Sequence, residues 1–266
     1  HTITRRYSEE TIRFIKNNKD QPFFIYLAHN LPHVPLFASK EALGKSARGL
    51  YGDVVEEIDQ GIGTILKALK EEGLDKNTLV VFTSDNGPWT VFKEQGGSAG
   101  PLFAGKGTTW EGGMRVPTVF WAPGRIAPGI VNQIGSTLDL YHTFSTIAGV
   151  PLPKDRTLDS HDLSPLLFEK QKASRDHFLY YRGTQLYAAR LGAYKAHFIT
   201  QGEYGQFGDK KTHDPPLLYN LNHDPSEQFN IAETHPEVLK NIESLVTEHK
   251  KNMVPGPDQL KDRGVK

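Results

Sequence analysis

LVVFTSDNGPWTVFKEQGGSAGPLFAGKGTTWEGG, residues 79–113, decides how this chain reads. Its opening run, Leu79-Val80-Val81-Phe82, is apolar and short, as a buried strand is. The run ends in Thr83-Ser84-Asp85-Asn86-Gly87-Pro88. Asp85 and Asn86 set a carboxylate beside an amide oxygen, the donors a hard cation takes. Asp-Asn-Gly-Pro is also good turn chemistry, so the residues alone leave both readings open. Further on, Lys106 stands in Gly105-Lys106-Gly107-Thr108-Thr109. Flanking glycines let a ligand approach closely, although a lone lysine is ordinarily a solvated surface charge. A cation site and a fixed ammonium beyond a strand's carboxyl end suggest an oxyanion ester as substrate.

Working outward, residues 22–28 (PFFIYLA) form a second apolar run, expected as a buried parallel strand. It leads into His29-Asn30-Leu31-Pro32-His33-Val34-Pro35, where two prolines stiffen the loop. A helix is expected over 53–73, with Val54, Ile58, Ile62, Ile65, Leu66 and Leu69 on one face and Gly73 as its stop. Strand, helix, strand makes an α/β unit with a crossover, and ligands of such folds collect beyond the strands' carboxyl ends. Upstream, Ser8-Glu9-Glu10 reads as a helix start. Downstream, 117–121 reads as a short strand and 137–148 as a helix closed by Gly149 and Pro151.

The polar, proline-punctuated stretch 151–174 marks a boundary. It divides a catalytic-type α/β part, 1–165, from a small α+β part, 175–266. In the latter, 177–182, 185–191, 194–200 and 217–221 read as an antiparallel sheet. Residues 202–215 read as a loop, 236–250 as a helix started by Pro236, and 255–266 as a tail.

Composition narrows the function classes. A chain of 266 residues can hold one large core or two smaller domains. Lys and Arg number 31 and Asp and Glu number 31, so no net charge draws the chain to nucleic acid or an anionic membrane. No run approaches the roughly 18 apolar residues of a membrane span. No signal-peptide pattern is visible, which carries no weight for a piece of a longer protein. The absence of Cys excludes disulfides, thiolate metal sites and Cys nucleophiles within these residues, without identifying a compartment.

Three motifs carry a resemblance: FTSDNGP (82–88), GGSAGPLFAGKGTTWEGGMRVP (96–117) and LAHNLPHVPLFAS (27–39). With YKAHFITQG (194–202) and HDPPLLYNLNHDP (213–225), they resemble the type I sulfatases of the arylsulfatase A and N-acetylgalactosamine-6-sulfatase kind along nearly the whole chain. The resemblance implies an alkaline-phosphatase-like mixed sheet with flanking helices and hydrolysis of sulfate monoesters. It implies that Asp85 and Asn86 bind a divalent cation, usually Ca²⁺. It implies that Lys106 contacts the sulfate and the bridging oxygen, and that His33 contacts the sulfate. His33 in that role suits proton donation to the leaving alcohol, since histidine titrates near neutrality. His213 is expected near the substrate pocket. The family's nucleophile is a formylglycine made within C/S-x-P-S-R, and no such motif occurs here. The expectation is therefore a C-terminal part of a sulfatase. The nucleophile and the remaining calcium carboxylates would lie on a missing N-terminal part, leaving this chain inactive alone. The implied location is secreted, periplasmic or lysosomal, and the substrate an ester of the sulfated-sugar or aryl type.

Two rivals stand beside this reading. One is a phosphonate or phosphate ester hydrolase of the same superfamily, and the other a non-catalytic binding fragment. The remaining polar residues take plainer roles. His29 belongs to its loop, and Arg115 to support of the site, through a Glu pair or by reaching an anion. Asp224-Pro225 and Glu227 read as turn chemistry. Tyr180, Tyr181, Tyr187 and Tyr194 read as sheet core, and His142 and His197 as packed or exposed within periodic segments. The loop 201–212 is expected to help choose the alcohol part of the ester.

Overall fold

The computed structural model describes residues 2–254 and Gly256, so the expected tail falls, but for Gly256, outside the described residues. The chain forms two compact units. The first takes residues up to Thr83, with Trp89–Ser98 and Pro117–Pro128. The second takes Ser84–Pro88, Ala99–Val116 and the chain from Gly129 onward.

In the first unit, helix α1 (Ile3–Asn17) packs on helix α2 (Gly49–Glu71). Helix α2 buries Val54, Ile58, Ile65 and Leu69, the stripe that helical spacing predicts. Its start lies before the expected Asp53, because Asp53 acts inside the first turns rather than before them. The Asp53 carboxylate accepts the amides of Gly44, Lys45 and Ser46 at 2.8, 3.0 and 2.8 Å, folding the preceding loop back onto the helix. Gly61 of α2 lies against Ser8 of α1. A Cβ there would lie 2.4 Å from Ser8 Oγ, so a larger residue would require the Ser8 side chain to move. Ile15 of α1 joins Ile65 and Leu69 in one apolar cluster, to which Phe23, Ile25 and Leu27 add a partly buried face.

Those last three residues carry a correction. Residues 22–28 alternate as a strand does, but they join no ladder among the described residues and are not buried on both faces. Phe24 and Tyr26 point away from the cluster and are 69% and 84% exposed. Strand β1 (Val80–Phe82) pairs instead with β2 (Val119–Trp121), antiparallel, with Val81 opposite Phe120. The expected parallel crossover pair is therefore absent among the described residues: a parallel partner for β1 requires a laddered neighbour, which 22–28 does not supply.

The second unit contains α3 (Glu111–Met114), α4 (Asp139–Ala148), α5 (Ser164–Glu169) and α6 (Pro236–Asn252). Its sheet runs β3 (His177–Arg182), β4 (Gln185–Leu191), β5 (Tyr194–Thr200) and β6 (Lys211–Asn220) in simple antiparallel order. The first three strands fall where their short aromatic-rich segments and the turn glycines Gly183 and Gly192, both at φ +57°, place them. Strand β6 begins earlier than expected, taking the end of the 202–215 loop into the ladder, with Thr200 opposite Lys211. Leu186, Ala189, Ala196 and Leu218 pack against Ala232, Leu239, Ile242 and Val246, so α6 covers one face of the sheet. Helix α4 ends at Gly149 in the left-handed region, φ +67°. At its start the fully buried Asp139 accepts the amides of Ser136 and His161 and pairs with Arg175, whose Nε lies 3.0 Å from Oδ2. This pair anchors the 151–174 stretch, within which α5 forms although no helix is expected there.

Candidate active site

The loop after β1 and the loop carrying Lys106 form one tightly closed knot within the second unit. Gly87 donates to Gly113 O at 3.0 Å, and the Lys106 amide donates to Pro88 O at 2.9 Å. Gly112 donates to Phe103 O at 2.8 Å, and Thr108 Oγ1 donates to Gly105 O at 2.8 Å. Glycine is required at three of these points. A Cβ on Gly87 would lie 1.8 Å from Gly112 O, one on Gly112 2.3 Å from Phe103 O, and one on Gly113 2.4 Å from Thr108 O. The glycines of this stretch thus serve backbone-to-backbone packing more than ligand approach. Ala104, just before them, holds φ +65°, a region side chains rarely enter.

Asp85, Asn86 and Lys106 are brought together at the level of the loops that carry them. Asp85 is exposed, Asn86 and Lys106 are half-buried, and Ser84 Oγ donates to Asn86 O at 3.2 Å. His213 lies on β6 in the same unit, its Nε2 2.8 Å from Thr200 Oγ1. Burial, with Lys211 nearby, holds His213 below the usual histidine range. The expected alcohol-choosing loop reaches this region. Gly107 lies against Glu203, where a Cβ would sit 2.6 Å from Glu203 Cγ, and Phe207 meets Phe103 edge-on at 5.6 Å. Glu203 pairs with Arg182.

His33 belongs to the first unit. It is exposed between Pro32 and Pro35, with its ring 5.3 Å from that of Trp89. Its Nδ1 lies 2.7 Å from Val34 O. A carbonyl only accepts, so Nδ1 carries the proton and Nε2 is the ring atom able to exchange one. His29 is different: both ring nitrogens are buried without a hydrogen-bond partner among the described residues, Tyr7 packs edge-on at 5.4 Å, and burial pulls its pKa down.

Beneath the Lys106 knot lies a cluster of buried charges whose role the sequence does not announce. Lys195 Nζ donates to Glu111 Oε1 at 2.9 Å and lies 3.2 Å from Glu227 Oε1. His197 Nε2 lies 2.7 Å from the same Glu227 oxygen, and the Glu111 amide donates to Glu227 Oε2 at 2.7 Å. Trp110 stacks on His197 at 4.1 Å between ring centroids. Lys195 also sits 4.4 Å over the Tyr180 ring, and burial pushes the Tyr180 hydroxyl up to about 12. Two expectations are corrected here. Glu227 is a fully buried ion-pair partner as well as a turn residue. Arg115 is exposed and makes no ion pair among the described residues, because Glu111 is engaged by Lys195 and approached by Arg190 at 3.9 Å. Lys195 and His197 are two apart on one strand and share a face. That spacing is the signal by which an inward polar face is recognisable.

The protonation of this cluster follows from its surroundings. Burial alone would lower Lys195, but Glu227 and Glu111 outweigh it and raise it. Burial would raise Glu227, but Lys195 first and then His197 hold it below the usual carboxylate range. Burial holds His197 below its usual value, with Lys195 acting in the same direction against the Glu227 hydrogen bond. His197 is thus neutral in the fold, faced by Glu227, Lys195, Glu111, Trp110 and Tyr219. The sign for stability follows. As pH falls below about 6.5 the unfolded chain binds a proton at His197 that the fold does not, so stability declines with acidification. Glu227 adds to this lower down, its contribution being lost as pH falls through its depressed folded pKa. In urea unfolding, His197→Gln is expected to flatten the stability profile between about pH 6.5 and 5 relative to the parent. Equal slopes would remove His197 from the acid sensitivity.

Comparison with known proteins gives the family. A family model described as Sulfatase matches residues 2–150, and one described as the C-terminal region of aryl-sulfatase matches residues 173–265. The chain belongs to the sulfatase family. N-acetylgalactosamine-6-sulfatase of Mus musculus is 41% identical to this sulfatase chain, the match covering 97% of it and 54% of the relative. Arylsulfatase A of Homo sapiens is 42% identical over 85% of this chain and 48% of that one. Among solved structures, the PsFucS1 sulfatase from Pseudoalteromonas sp. is similar with a TM-score of 0.85 and 27% identity, covering 96% of this chain and 55% of that one. The fold is accordingly the alkaline-phosphatase-like fold of sulfatases. The sulfatase chain spans about half the length of the curated relatives it matches.

Proposed function

We propose that the whole protein hydrolyses sulfate monoesters, and that Lys106 stabilises charge on the sulfate and on the leaving oxygen. The observation that supports this best is the direct backbone bond between the Lys106 loop and the Asp85-Asn86 loop, within a chain of the sulfatase family. A prepositioned ammonium in a water-poor site costs no reorganisation when charge develops on the leaving oxygen. His33, whose Nδ1 is engaged by Val34 O, is assigned proton donation through Nε2. His213 is assigned a place near the substrate. Burial and Lys211 hold its pKa below the usual histidine range, so the ring is neutral and suits hydrogen bonding rather than ion pairing with the sulfate.

Formylglycine supplies the nucleophile in this family. The 266 residues hold neither Cys nor S-x-P-S-R, so we place that group on a part of the protein they do not include. We likewise place the family division near residues 165–175. A sulfated sugar is the substrate class we favour, because a relative at 41% identity is named for a sulfated N-acetylgalactosamine. The family match favours sulfate over phosphonate or phosphate esters. The test compares an aryl sulfate with an aryl phosphate as substrates of the full-length protein. Turnover of the sulfate alone is expected. Preferential turnover of the phosphate would overturn the reading, and turnover of neither would leave the binding role.

Calcium is the ion this family usually takes. Asp85 and Asn86 offer two oxygens where calcium wants six to eight. No group of three or more His, Asp or Glu side chains is placed to hold a metal among the described residues. The residues present do not complete a calcium site, and no step here runs through the ion. We assign Asp85 and Asn86 as two of its ligands, the remainder lying on the part not included. Calorimetry on the 266-residue chain is therefore expected to show binding no tighter than about millimolar, the weak end of the protein range. Micromolar binding would mean that these residues build the site unaided.

A further inference from the structure

We propose that the buried cluster of Lys195, Glu111, Glu227 and His197 positions the Lys106 loop, so that residues of the C-terminal sheet set the geometry of the sulfate-binding ammonium. The proposal deepens the sulfatase reading and rests on it for the role of Lys106.

The cluster grips the loop at its downstream end by three separate contacts. The Glu111 carboxylate takes Lys195 from β5, the Glu111 amide is held by Glu227, and Trp110 is stacked on His197. None of these contacts has slack, since Lys195, His197, Glu111 and Glu227 are all at most 2% exposed at their side chains. Glu227 is also held at φ +51°, a backbone region that side chains rarely adopt, and this turns its carboxylate inward from an otherwise ordinary turn. The grip is transmitted along the chain. Glu111 opens α3, whose glycines 112 and 113 touch the carbonyls of Phe103, Ala104, Gly105 and Thr108, and Gly87 closes on Gly112. A shift of α3 therefore moves Gly105–Thr108 and Pro88 with it.

Holding the sheet together does not require this cluster. The sheet and α6 have their own apolar core in Leu186, Ala189, Ala196, Leu218, Leu239, Ile242 and Val246. Buried ion pairs are a weak source of net stability compared with apolar packing. Their distances and directions are strict, and strict geometry is what a charge that must meet a developing anion needs.

The test is amide hydrogen exchange on the 266-residue chain carrying Glu227→Gln, which keeps the shape and removes the charge. Glu111→Gln is the second variant, and Leu239→Ala is a control that weakens the sheet core without touching the cluster. Expected is exchange at Gly87, Lys106, Gly112 and Gly113 at least tenfold faster in both charge variants, with Ala189, Ala196 and Leu218 little changed. The control should speed both sets alike. A uniform change in the charge variants, or none, overturns the proposal. So does failure of both to fold, since the cluster would then hold the unit rather than the loop. Turnover of an aryl sulfate by the full-length protein carrying Glu227→Gln is read alongside. A fall in kcat that Glu227→Asp partly restores is expected. A loosened loop with unchanged turnover would keep the positioning role and instead remove Lys106 from the chemistry.

Discussion

Lys106→Ala is expected to lower kcat for an aryl sulfate by about a hundredfold to a thousandfold or more, the range found when a single preorganised charge-stabilising group is removed. The fold should survive. The Lys106 backbone amide, not its side chain, makes the bond to Pro88 O, and alanine retains that amide. Gly105 and Gly107 are untouched, so the loop keeps its path. Lys106→Arg should recover little, because a planar guanidinium spreads its charge and needs more room than a compact ammonium. Circular dichroism and a urea midpoint matching the parent would show that the loss is chemical. Near-normal turnover would take Lys106 out of the mechanism.

The second large effect concerns stability. Lys195→Met should destabilise the second unit by about 3–5 kcal/mol, the usual result of removing one partner from a buried ion pair. Glu111 and Glu227 would then face each other in a dry site, with Arg190 at 3.9 Å from Glu111 as the nearest remaining cation. One carboxyl is expected to respond by holding its proton, its folded pKa rising above the unfolded value near 4.3. The fold then binds a proton that the unfolded chain does not. The variant should therefore regain stability as pH falls toward about 5, opposite in sign to the parent contribution of Glu227 and His197. Adding Glu227→Gln to Lys195→Met should restore part of the loss. Urea unfolding across that pH range reads both results, and a variant less stable at pH 5 than at pH 7 would contradict the argument.

Much of the second unit was legible in the sequence, and the reasons are local. Strands β3, β4 and β5 are short, aromatic-rich segments cut by Gly183 and Gly192, and α6 shows Pro236 at its first turn with a regular apolar stripe. The loops at 84–88 and 105–113 stood out through their glycines and polar pairs. Failures occur where distant residues decide. Residues 22–28 carry a strand's apolar content, but whether a strand is laddered depends on neighbours that no local pattern supplies. Glu227 lies in real turn chemistry, since Asp224 Oδ2 accepts the amides of Gln228 and Phe229 at 2.8 Å. Its other role depends on Glu111, 116 residues earlier. The contact of the Lys106 loop with Pro88 was likewise invisible, because no spacing rule predicts which carbonyl a loop amide will find.

The chain separations within the buried cluster also bear on when the site forms. Glu111 meets Lys195 across 84 residues and Glu227 across 116. Closing such long loops costs chain entropy before any contact repays it. A nascent polypeptide leaving the ribosome presents the Lys106 segment well before it presents Glu227. The segment must therefore wait, unanchored, until the C-terminal strands have been synthesised and paired. Chain termination or proteolytic nicking ahead of residue 227 would leave the motif intact in sequence but without its fixed geometry, even though the break lies more than a hundred residues away from it.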